Sequence, residues 1–166
     1  AYYLLASCYY ELIVDEKKDL SSILKSKEYF QFITTNYPNT DFSIDAKFKI
    51  SLIDNILASK ELYIGKYYLK KKKWIPAINR FKNIIINYEH TEYVEEALHR
   101  LVEINYIIGL EFEAKKYAAL LGYNYQSSEW YKETYRVFNK KYENPINQIK
   151  KDKQNFILRK FKELFK

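Results

Sequence analysis

The chain has 166 residues, the size of one domain with a real core, and its 48% hydrophobic content with only three Gly and three Pro favours helices joined by short connections. One cysteine excludes an internal disulfide framework and any cysteine-cluster metal site. The net charge of +7 invites nucleic acid or a membrane surface, but only four of the 28 basic residues are arginine (Arg80, Arg100, Arg136, Arg159), the type favoured for forked phosphate recognition, so charge alone is weak ground for either.

The first element contains "LLASC", Leu4 to Cys8, which has the outline of a lipoprotein cleavage signal. A secretory leader needs basic residues and an apolar run of about 7–15 residues before its cleavage site, and the residues before Cys8 hold neither Lys nor Arg. The apolar pattern also continues beyond it through Tyr9, Tyr10, Leu12 and Ile13. Cys8 is therefore expected as a buried or half-buried helix residue, not a lipidated one.

From here the chain repeats. Leu5-Ala6 and Tyr9 lead to Ser26, Phe30 and "NYPNT" (36–40). Ile64-Gly65 and Tyr68 lead to Ala77, Phe81 and "NYEHT" (87–91). Leu101-Val102 and Asn105 lead to Ala114, Ala118 and "NYQSS" (124–128). In each unit a small residue is followed four later by a second apolar position, and the turn then passes through Pro38, Glu89 or Gln126. The small residue fits where the second helix of a pair crosses the first, and the later one fills the groove against the next pair. Such units resemble the tetratricopeptide repeat, with the turn proline kept only at Pro38 and glycine at its position only in Gly65.

The first unit carries a polar insertion, "VDEKKDLSS" (14–22), between its helices. Between the first and second units the interval exceeds the roughly 34 residues of a standard repeat. That extra length predicts one elongated helix over about residues 42–72, with Phe48, Leu52 and Ile56 at helical spacing. The run Lys70 to Lys73 reads as its solvated end, favoured by the helix dipole. Pro76 marks the start of the next helix, where its missing N–H costs nothing.

His90 and His99 carry no ligand spacing and are expected on the surface, so no metal site is expected. A further helix is predicted over 129–142, broken at Asn144-Pro145. The stretch 153–166 places Ile157, Leu158, Phe161, Leu164 and Phe165 opposite Lys and Arg, a basic amphipathic helix that caps the array, docks on a partner or meets a membrane surface. The whole reads as an all-α, tetratricopeptide-like solenoid. Residues 1–143 form a repeat domain of about three helix pairs plus a further helix, and 144–166 form the basic capping helix or tail.

No nucleophile–base pair, phosphate loop or dinucleotide fingerprint is present, so neither catalysis nor a cofactor is expected. The residues alone leave open a general protein-binding adaptor or a basic repeat that binds RNA. Scarce arginine, and basic residues spread around the helices, count against nucleic acid.

Taken together, "AYYLLASCYYELI", "KEYFQFITTNYPNT", the block "KELYIGKYYLKKKKWIPAINRF" and "EAKKYAALLGYNY" resemble the BamD family, lipoproteins of the outer-membrane β-barrel assembly machinery, over roughly residues 1–135. The resemblance implies a scaffold on the periplasmic face of the outer membrane, with its lipid anchor outside this stretch. It further implies binding to a POTRA domain of BamA, and contact with other assembly subunits and unfolded outer-membrane proteins. The family's BamA-contacting arginine falls on Arg80 in "PAINRF", and Asn79 and Trp74 are expected beside it as partner-binding residues.

Overall fold

The computed structural model describes residues 1–12 and 20–138, which form α1 (Tyr2–Glu11), α2 (Ser21–Asn36), α3 (Asp41–Lys70), α4 (Trp74–Asn87), α5 (Tyr93–Ile107), α6 (Glu111–Asn124) and α7 (Glu129–Phe138). The described residues contain no strand. Helices α1 and α2, α3 and α4, and α5 and α6 pack as pairs, and α2 on α3, α4 on α5 and α5 on α7 join the pairs into an array. The expected basic tail, and the last residues of the expected 129–142 helix, lie outside the described residues.

Each of the small residues expected at a helix crossing, Ser26, Ala77 and Ala114, is fully buried. Ser26 and Ala6 are fully buried against each other, and the Ser26 hydroxyl donates to the Ala6 carbonyl at 2.9 Å, which satisfies a hydroxyl that could not otherwise be buried cheaply. In the second pair Ala77 and Phe81 are fully buried, and Phe81 lies on the bare backbone of Gly65. The third pair buries Ala114, but the groove beyond it is filled by Tyr117 and Leu121, while Ala118 is only half-buried.

The long helix has 30 residues because it serves two cores. Its Ala46, Ile53 and Leu57 pack with Ile23, Phe30 and Ile33 of α2. From the next residue on, Ala58 and Leu62 join the cluster built by α4, α5 and α6. Tyr88 packs against both clusters and closes the joint between them.

The "NY" turns repeat in backbone as well as sequence. Tyr37, Tyr88 and Tyr125 each end a helix with φ of −133, −135 and −138°, and each donates its N–H to the residue four before it. Thr40 then caps α3, accepting from the Ser43 N–H at 3.2 Å, and Thr91 and Ser128 hold the corresponding turn positions.

Cys8 lies in α1 but is exposed, against the expectation of burial. The inward stripe of this helix is Tyr3, Ala6 and Tyr10, and Cys8 stands two residues, about 200°, around from Ala6. Leu4, Leu5 and Leu12, which fall near Cys8 on a helical period, are exposed too.

At the other edge of the array, α3 and α5 end in the same motif. Lys72 donates to the Leu69 carbonyl and Lys73 to Tyr68; Gly109 donates to Tyr106 and Leu110 to Asn105. The left-handed residue is glycine in the second turn (φ 83°) but Lys72 in the first (φ 56°). A side chain there costs about 1–2 kcal/mol, more than the roughly 0.5–1 kcal/mol of added chain entropy that glycine brings. Lys72→Gly is therefore expected to raise stability by about 0.5–1 kcal/mol, read as a higher urea midpoint with an unchanged slope.

Candidate functional site

On α4, Ala77, Phe81 and Ile84 face the core, so the opposite side of the helix is presented outward. Close approach at Gly65 brings that side within reach of α3. The two helices form a cleft of ≈ 420 Å³ lined by Glu61 and Tyr68 of α3 and by Ile75, Pro76, Asn79, Arg80 and Asn83 of α4.

Arg80 stands on this outward side of α4 and is half-exposed. Its side chain is 42% accessible and its Nη1 donates to both carboxylate oxygens of Glu61, at 3.0 and 3.2 Å. Arg80 lines the cleft, and its Nε and Nη2 atoms make no hydrogen bond among the described residues, so one edge of a guanidinium restrained by Glu61 keeps its donors unused. Asn79 is exposed beside it. Trp74 is not part of this surface, because it packs against the core cluster; the exposed apolar group of the first turn is Ile75. Glu61, Ile75 and Asn83 enter the site without having been singled out in the sequence, and Tyr68, read as a repeat position, lines it as well. Glu61 could have been sought as an acid on α3 opposite the arginine.

A second polar assembly joins α3, α5 and α7. Lys66 of α3 reaches Glu96 of α5 at 2.9 Å, and Arg100 bridges Glu96 at 3.1 Å and Glu103 at 2.6 Å. Trp130 of α7 lies over Arg100 and against His99, with centroid distances of 5.3 and 5.2 Å. His99, expected on the surface, is 4% exposed. Its Nδ1 is 2.8 Å from the Thr134 hydroxyl of α7 and its Nε2 is 3.5 Å from the Glu103 carboxylate. His90 is solvated as expected.

Burial pushes the Glu103 carboxyl upward, but hydrogen bonds and charge from His99 and Arg100 outweigh it, and the group titrates below the usual range. A depressed carboxyl contributes stability above its unfolded pKa, about 4.3, and loses that contribution as pH falls through the folded value. Stability is therefore expected to drop below pH of about 4 in wild type, and Glu103→Gln to flatten the drop; equal pH profiles in melts of the two would count against it.

Residues 1–121 match the outer membrane lipoprotein family YfiO. The chain belongs to the YfiO/BamD family of outer membrane lipoproteins. It is 49% identical over 144 residues to outer membrane protein assembly factor BamD of Rickettsia prowazekii, covering 87% of this chain and 57% of that protein. To BamD of Caulobacter vibrioides it is 42% identical over 139 residues, covering 84% and 46%. To BamD of Neisseria gonorrhoeae it is 30% identical over 89 residues, 54% of this chain and 33% of that protein. The chain thus spans about half the length of the curated relatives it matches. Both the α3–α4 cleft and most of the α3–α5–α7 assembly fall within the stretch that matches the YfiO/BamD family.

Proposed function

We propose that this chain acts as a non-catalytic scaffold in outer-membrane protein assembly, on the periplasmic face of a membrane to which it is held by a lipid anchor outside these residues. Through the α3–α4 cleft it binds a POTRA domain of a BamA-like partner, alongside other assembly subunits and unfolded outer-membrane proteins. The observation that supports this most is the oriented, half-free Arg80 fork. Glu61 occupies one nitrogen and restrains the side chain, and Nε with Nη2 is the edge that accepts a carboxylate with two parallel bonds. Restraint before binding lowers the ordering cost at the interface. Ile75 and Pro76 supply exposed apolar area at one end of the cleft, and the Asn79 and Asn83 amides supply adaptable hydrogen bonds.

The test is site-specific photo-crosslinking. A photoreactive residue at position 79 is expected to capture the POTRA domain, and one at Lys132 on α7 to capture none. Absence of an adduct at position 79 with purified partner present would rule out this face.

A further inference from the structure

Successive helices joined by short turns run antiparallel, so the turns of the array fall on two edges. One edge holds residues 37–40, 88–92 and 125–128, each opening on a tyrosine and containing Thr or Ser, with Glu89 and Glu92 in the second and no lysine in any. The other holds residues 71–73 and 108–110, and its chemistry is different. Lys70, Lys71, Lys72 and Lys73 are all exposed, and none makes an ion pair among the described residues. In the neighbouring turn Ile107 is 61% exposed and Phe112 80%, with Ile108 and Leu110 exposed between them.

We propose that this edge seats on an anionic lipid bilayer, the lysines lying at the headgroups and Ile107, Ile108, Leu110 and Phe112 entering the interface. Three observations support this. First, unpaired lysines beside a contiguous exposed apolar turn combine the two attractions of interfacial binding, charge and buried apolar area. Second, the turn holds Lys72 in the left-handed conformation that the equivalent turn gives to Gly109. Strain retained at an exposed tip points to a use for the side chain there, since stability alone favours glycine. Third, the tip at Gly109 is open: a methyl group added there would meet nothing within 4 Å. An open, unshaped tip suits a deformable lipid surface better than a protein pocket, which needs close complementarity. Glu111 and Glu113 flank Phe112, but they occupy the first turn of α6, where the helix dipole favours acids, and Glu113 is paired with Lys116.

The proposal rests on the membrane location given above only for the supply of a bilayer, and on none of the Arg80 contacts. The test is flotation of the full chain with vesicles of phosphatidylethanolamine containing phosphatidylglycerol, beside vesicles of phosphatidylcholine alone. Binding is expected to the anionic vesicles and to fall with salt. Changing Lys70, Lys71 and Lys73 to Gln together with Lys72→Gly is expected to weaken it on the order of 100-fold or more, at roughly five-fold per lysine. A charge-matched control with Lys47, Lys60, Lys82 and Lys132 changed to Gln is expected to stay within about ten-fold of wild type. Phe112→Ser is expected to weaken binding at every salt concentration. Melts of all variants show that they fold. No flotation with anionic vesicles, or equal losses in the edge and control variants, would overturn the proposal. So would an edge variant that floats normally but loses POTRA affinity, which would make the edge a protein contact.

Discussion

Phe81→Ala is expected to destabilise the chain by about 3–5 kcal/mol, and Gly65→Ala by about 1–3 kcal/mol, with the double variant less unstable than the two effects added. Phe81 is fully buried at the point where α3 and α4 come closest. A Cβ on Gly65 would sit 2.6 Å from Phe81 Cε1 and 2.9 Å from Cζ, distances that force a shift. The ring has nowhere to move, since Ala77, Ile84 and Leu62 close the same cluster. Removing the ring leaves a cavity that the alanine at position 65 partly fills, which is why the two changes couple. Urea denaturation of the four proteins gives the coupling directly. A neutral Gly65→Ala would mean that the helices separate easily, and the cleft beside them would lose its fixed geometry.

Arg80→Ala is expected to weaken binding to the POTRA domain by about 2–5 kcal/mol while leaving the fold intact. The two halves of this expectation have different origins. The Arg80–Glu61 pair is partly solvated, and pairs of that kind contribute about 0–1 kcal/mol to folding. At a desolvated interface the same guanidinium would face a buried carboxylate, and truncation would leave that carboxylate unpaired. Arg80→Lys is expected to restore only part of the affinity, because a lysine retains the charge but lacks the second parallel donor.

The helix pairs were legible in the sequence because close crossing demands small side chains at fixed spacing, and Ser26, Ala77 and Ala114 satisfy that demand with no help from the rest of the chain. The length of α3 was legible for a related reason: a helical pattern free of Pro, with one Gly, has nothing to end it before the lysine turn. What resisted reading were the partners that only tertiary packing selects. His99 looked like a surface residue because nothing near it in sequence reveals Thr134 or Trp130 on α7. Cys8 was misplaced because α1 buries one narrow stripe, and its many apolar residues suggested a wider one. Arg80 could be located on the outer face of α4, but its pairing with Glu61 depends on how closely Gly65 lets the helices approach. Trp74, read as a contact residue beside Arg80, lies half-buried against the core cluster, a placement that its position in the sequence does not reveal.

The most direct test of the scaffold reading is calorimetric titration of this chain with a POTRA domain of the proposed BamA-like partner, for wild type and Arg80→Ala, beside thermal melts of both. The expected result is measurable wild-type affinity, a loss of at least about 30-fold in the Arg80→Ala variant, corresponding to about 2 kcal/mol or more, and coincident melts. Equal affinity in the two proteins would contradict the account, and so would a collapsed melt in the Arg80→Ala variant, because either would leave Arg80 without a role in recognition.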